Sequence, residues 1–214
     1  MPTTAAKSDK TKNKPVKKLI KRKTRKSIFH RNFSVGGYTY NEYMTWNEDS
    51  FWELIDGIPY MMAPPTFRHQ DLAGEIYIQL KNFLKDKPCK VYISPIGVRL
   101  FPEIEGNDKT IVLPDIVVVC DEKKLSDGKT INGAPDFIIE IISPSSKGRD
   151  LIDKKELYED AGVKEYWVVD ADKVFKYVLL NKQYQETIFN ITKGLVIKLN
   201  ILKGCKISLT PDFA

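Results

Sequence analysis

The sequence predicts an α/β domain with a mixed central sheet flanked by helices and extra C-terminal strands. Two observations carry that prediction: short apolar runs suited to buried strands alternate with two segments of helical period, and a series of further strand-like runs closes the chain. The length, 214 residues of which 42% are apolar, suits one domain with its own core and excludes a wholly disordered chain. Runs such as Ile116 to Cys120 and Phe137 to Ile142 fall far short of the roughly 20 apolar residues of a membrane helix.

Charge divides the chain. The net charge of +6 hides residues 1–31, where 12 Lys and Arg face the single acid Asp9; the rest of the chain is net −5. Residues 1–31 read as a disordered basic tail, because almost nothing in them can be buried to offset the entropy of ordering. Residues 32–214 read as the folded domain. Lys21, Arg22, Lys23, Arg25 and Lys26 suit a nucleic-acid arm that neutralises phosphates, an import signal or a solubilising extension, and all three readings stay open. Three cysteines at spacings that match no zinc pattern, with Cys120 expected as a buried thiol, point to a reducing, cytoplasmic setting. The first thirty residues contain no apolar segment followed by a cleavage site, so export is not expected.

Taken in order, Tyr40 to Asn47 suits a short helix. Phe51 to Ile55 and Ile58 to Met62 flank Asp56-Gly57, the signature of a tight hairpin. From Thr66 to Lys85 the apolar positions Leu72, Ile76, Leu80, Phe83 and Leu84 recur at helical spacing. Strands are expected at Lys90 to Leu100, Val112 to Cys120 and Pro135 to Ile142, then a helix from Arg149 to Ala161 closed by Gly162. Lys164 to Asp170, Val174 to Leu180, Tyr184 to Phe189 and Leu195 to Leu202 complete the strand series. Tyr166 and Trp167 are expected in the core, and Ser143 and Ser145 in a turn around Pro144.

The chemistry begins with two acids. If the strands containing Asp115 and Glu140 pair antiparallel about Asp127-Gly128, these residues stand opposite one another with Cβ atoms about 5 Å apart. Facing carboxylates repel, so the pair calls for a cation or a shared proton, and a hard divalent ion such as Mg²⁺ is the natural occupant. A one-residue slip would separate the two acids onto opposite faces. On the following helix, a wheel of about 100° per residue puts Lys154 within the apolar arc of Leu151, Leu157, Tyr158 and Ala161. An inward lysine needs anions to meet it. A snorkelling amine or a structural ion pair would satisfy the same geometry.

Several segments together resemble the Uma-two-type restriction endonuclease family: Glu53 to Gly57, Arg68-His69-Gln70, Pro114-Asp115-Ile116, Ala134 to Ser145, Lys154 to Tyr158 and Ala161 to Asp170. That family is assigned to the PD-(D/E)xK nuclease superfamily. The resemblance therefore implies a restriction-endonuclease-like fold and a Mg²⁺-dependent site, with Mn²⁺ as a possible substitute, cutting DNA to leave 5′-phosphate and 3′-hydroxyl ends. Asp115 and Glu140 are similar to the superfamily's metal ligands. The lysine expected two residues after Glu140 is replaced by Ile142, and Lys154 matches the family's helix lysine. Glu53 enters as a further metal ligand, against the alternative of a solvent-facing hairpin residue. His69 enters as a substrate contact, against simple packing. A homodimer is expected because a duplex break needs two cuts. A catalytically inactive nucleic-acid-binding or interaction module of the same fold is the alternative.

Overall fold

Asp56 and Gly57, with φ of 51° and 79°, turn the chain back between β1 (Trp52–Ile55) and β2 (Ile58–Met61). Glycine is required at 57 for a second reason, since a Cβ there would stand 2.9 Å from the Cα of Gly37. This computed structural model describes residues 37–46, 50–142 and 148–210. The basic tail and the serines at 143 and 145 lie outside the described residues.

The first helix, α1 (Tyr40–Tyr43), is shorter than expected and carries a capping box between Thr39 and Glu42. In α2 (Phe67–Phe83) Thr66 caps the N-terminus by accepting from the amide of His69, and Leu72, Ala73, Ile76 and Leu80 form the buried stripe. The segment Lys90 to Leu100, expected as one strand, is two: β3 (Lys90–Ile93) and β4 (Gly97–Arg99), in different sheets. Pro95 between them has no amide proton for a ladder. Val112 to Cys120 divides in the same way at Pro114 into β5 (Ile111–Val112) and β6 (Ile116–Val119).

After β6 come a 3-10 turn (Glu122–Leu125), β7 (Thr130–Asn132) and β8 (Phe137–Ile141). One π turn (Arg149–Asp153) leads into α3 (Lys154–Ala161), which ends at Gly162 in the left-handed conformation with φ 89°. The remaining strands are β9 (Glu165–Val169), β10 (Lys173–Leu180), β11 (Gln183–Asn190), β12 (Leu195–Lys198) and β13 (Lys206–Leu209). The last was not expected; its four residues, alternately exposed and buried, give too short a pattern to stand out.

Six strands form the central sheet in the order β11-β10-β9-β8-β6-β3, with β8 and β9 parallel and the other pairs antiparallel. A second sheet has the order β2-β1-β5-β4-β7, and β12 with β13 forms a separate hairpin. Strands β6 and β8 pair Ile116 with Ile139 and Val117 with Ile138, the register expected for Asp115 opposite Glu140. The connection is not a hairpin loop, since β7 leaves to join the second sheet. Residues of alternating parity feed two cores. Ile116, Val118, Phe137, Ile139 and Trp167 meet α2 and the β12-β13 hairpin; Val117, Ile138, Tyr166 and Val168 meet Tyr158 of α3 and the second sheet.

Cysteine corrects the sequence reading. Cys120 is no free thiol: it forms a disulfide with Cys89, at the end of the β3-β6 ladder. One ground for a reducing compartment is thereby removed. Cys205 is free, and burial pushes its thiol up to about 11. Among the described residues no helix is long and apolar enough to cross a membrane.

Candidate active site

The two sheets meet where the chain passes from β5 to β6, and three residues, Leu113 to Asp115, make that corner. Glu53 of β1 reaches it from the side: its Oε1 accepts the amide of Leu113 at 2.9 Å. The glutamate is fully buried, which excludes the solvent-facing alternative. Asp115, two residues on, accepts the amide of Ile141 on Oδ2 at 2.7 Å, locking the start of β6 against the end of β8. That bond brings the aspartate beside Glu140, whose even parity in β8 points it toward α3.

Lys154 closes the cluster from above. Its Nζ lies 2.8 Å from Oε1 of Glu53, 2.8 Å from Oε1 of Glu140 and 3.7 Å from Oδ1 of Asp150. The side chain is 3% exposed, so these anions carry the burden of solvating it. Burial opposes its charge, yet Glu140, Glu53 and Asp150 outweigh burial and hold the amine well above its ordinary pKa. Glu140 is itself pushed well above the usual carboxylate range, by burial first, with Asp150, Asp115 and Glu53 adding to the effect and Lys154 opposing it. Tyr158, one turn beyond Lys154, donates its hydroxyl to Oε1 of Glu140 at 2.8 Å.

His69, in the first turn of α2, places Nε2 3.1 Å from Oδ2 of Asp115. Burial lowers its proton affinity, but the hydrogen bond and charge of Asp115, with Asp150 behind, raise it above the ordinary value. Its Nδ1 is buried without a hydrogen-bond partner, and so is Oε2 of Glu53.

All five residues singled out from the sequence, Glu53, His69, Asp115, Glu140 and Lys154, line one cavity of about 350 Å³. Two neighbours were missed. The sequence offers for Asp150 only its i,i+4 spacing to Lys154, and the place of Tyr158 in the apolar arc gives no sign of what its hydroxyl meets. Lys155, next along α3, instead lies over the ring of Tyr177, with Nζ 5.0 Å from its centroid.

Four carboxylates on one cavity wall, one with a buried unpartnered oxygen, are the hard donors that suit a divalent cation such as Mg²⁺. Among the described residues, no three acidic or imidazole groups converge at metal-ligand distance. The ammonium of Lys154 stands between Glu53 and Glu140. The donor types suit the ion, while the arrangement among the described residues is one held together by lysine.

Comparison with known proteins bears on the fold and the family. The structure is similar to the crystal structure of "a putative nuclease belonging to DUF820" from Anabaena variabilis ATCC 29413, with a TM-score of 0.65 and 19% sequence identity over 82% of this chain and 97% of that one. At that identity the likeness establishes the nuclease-like α/β fold expected from the sequence. Among curated proteins none matches. The pattern of the family described as "Uma2: Putative restriction endonuclease" matches residues 40–210, a span that runs from α1 through β13 and takes in every residue of the cluster. The chain therefore belongs to the Uma2 family.

Proposed function

We propose that the chain is a metal-dependent endodeoxyribonuclease hydrolysing phosphodiester bonds, with Asp115 and Glu140 as the principal metal ligands and Glu53 as a third. The observation that carries this reading is the single cluster in which Lys154 Nζ lies 2.8 Å from both Glu53 and Glu140, in the cavity that Asp115 also lines. Bound Mg²⁺, or Mn²⁺ in its place, supplies Lewis-acid polarisation of the scissile phosphate. The chain's own residues do the rest. Lys154 keeps its proton, so it orients the attacking water and offsets negative charge on the phosphate rather than acting as a base. Tyr158 and the Ile141 amide hold Glu140 and Asp115 in place. His69 presents an imidazole from the wall beside Asp115, where a phosphate oxygen of the substrate meets it. Action as a homodimer belongs to the same proposal.

The test is cleavage of supercoiled plasmid, single-stranded DNA and RNA by the purified protein with Mg²⁺ or Mn²⁺. DNA cleavage that disappears in Asp115→Ala is expected. Absence of cleavage by the wild type, or cleavage that survives the substitution, overturns the assignment.

A second reading, a non-catalytic nucleic-acid-binding module, draws on Ile142 at the superfamily's lysine position and on the ion pairs that occupy Lys154. Titration calorimetry of wild type and Glu140→Gln with Mg²⁺ and Mn²⁺ separates the two. Heat of binding lost in the variant favours the nuclease; silence from both proteins favours the module.

A further inference from the structure

The same cavity has a mouth whose chemistry differs from its acidic floor. Three basic side chains line the cavity, His69, Arg149 and Lys154, of which Lys154 is buried among the acids. His69 faces Asp115, and Lys154 is held between Glu53 and Glu140. Arg149 differs. Among the described residues it has no carboxylate partner, and its guanidinium lies over the ring of Tyr60 in β2, 4.4 Å from the centroid. An arginine on an aromatic face keeps its charge and its donor fork while losing rotational freedom, which prepares it for a planar, bidentate grip on phosphate.

Beside it the rim is apolar. Phe51 and Met61 line the opening and are 57% and 63% exposed, with Pro64 and Pro65 continuing the surface. Large apolar side chains around a wall of carboxylates are a poor surface for an intact duplex, which offers backbone phosphates and keeps its base faces stacked inside. A single strand offers both, base faces to the apolar rim and phosphates to the arginine. Its phosphates then approach the acidic floor with one cation already waiting.

We propose that the mouth of this cavity binds one unpaired DNA strand, Arg149 taking a backbone phosphate and Phe51 and Met61 packing against its bases. The inference deepens the nuclease reading and rests on it for the choice of nucleic acid as ligand. It makes Arg149 a substrate-positioning residue.

The experiment is fluorescence anisotropy on the full chain in EDTA across a salt series. The probes are a labelled single strand, its duplex, and a strand of equal length and charge with abasic sites throughout. The basic tail contributes equally to wild type and variants, and an abasic strand differs from the intact one only in its bases. Wild type is expected to bind the intact strand about tenfold tighter than the abasic strand, in keeping with the stacking gain per base. Arg149→Ala is expected to lower affinity for both strands and to reduce the salt slope by about one phosphate contact. Phe51→Ala with Met61→Ala is expected to remove the preference for bases and leave the salt slope unchanged. Thermal melting unchanged from wild type shows that these part-exposed substitutions leave the fold intact.

Wild-type affinity and slope in Arg149→Ala, or tighter binding of the duplex than of the strand, overturns the inference. If such a result accompanies Mg²⁺-dependent cleavage, the nuclease assignment stands without it. If the strand binds as described and nothing is cut, the nuclease assignment fails and the strand site remains.

Discussion

Lys154 joins the structural and the chemical sides of the site. It is the shared counter-ion of Glu53 and Glu140, all three side chains being under 5% exposed. Replacing it by methionine keeps the bulk and leaves the carboxylates facing one another. Lys154→Met is expected to destabilise the fold by about 3–5 kcal/mol at pH 7, the usual cost of breaking a buried ion pair, and by less near pH 5, because Glu140, held above the usual carboxylate range by burial, takes up a proton as pH falls. Urea unfolding at the two pH values checks this, and an unchanged midpoint at pH 7 would show that the amine is not what holds the acids. His69 gives a second prediction at the same scale. Its proton affinity is raised in the folded protein, so its pairing with Asp115 stabilises fully below the unfolded value of 6.5 and fades as pH rises through the higher folded value. The stability difference between wild type and His69→Gln should shrink across that window on the alkaline side of 6.5. A difference flat in pH would mean that the histidine binds as a neutral ring.

Among the elements, the C-terminal hairpin depends on one buried acid outside the Lys154 cluster. Glu165 opens β9, accepts from Trp167 Nε1 at 2.8 Å and pairs with Lys176 at 3.2 Å. Its other oxygen accepts the amides of Asn200 and Ile201 at 2.7 and 3.0 Å, just past β12. The acid thus joins the hairpin to the central sheet, and Lys176 donates to the carbonyl of Lys198 to close the link. Glu165→Gln can keep only some of these partners and leaves Lys176 without a counter-charge. A loss of about 2–4 kcal/mol is expected, together with faster hydrogen exchange at Asn200 and Ile201. Exchange that speeds up uniformly over the chain would argue against a local tether. The π turn ahead of α3 is the other element with a functional consequence. It supplies Arg149 to the cavity mouth and Asp150 to Lys154 from adjacent positions.

For the molecule as a whole, the Cys89–Cys120 disulfide closes a loop of 31 residues that contains β3 to β6, including the corner at Asp115. Confining that loop in the unfolded chain is expected to contribute about 3–4 kcal/mol. The double variant Cys89→Ser, Cys120→Ser should unfold at correspondingly lower urea concentration, and reduction of the wild type should reproduce the shift. Equal midpoints for oxidised and reduced protein would show that the link adds nothing to stability.

Local patterns of the chain determined much of this architecture. The Asp56-Gly57 turn, the stripe of α2, the strand runs and the inward position of Lys154 all follow from periodicity and turn chemistry, which act between near neighbours; the register of β6 with β8 agrees with the spacing, but no hairpin turn sets it. The same patterns were blind to how pieces are shared between sheets. Lys90 to Leu100 and Val112 to Cys120 read as continuous strands, yet a proline in each sends its halves to different sheets, and that division makes the corner that carries Asp115. The partners of Glu53, the Cys89–Cys120 link and the meeting of Asp150, Tyr158 and Arg149 with the acids were decided only by tertiary structure. Each depends on contacts between segments far apart in the chain, and a single sequence holds no local signal for the distance between them.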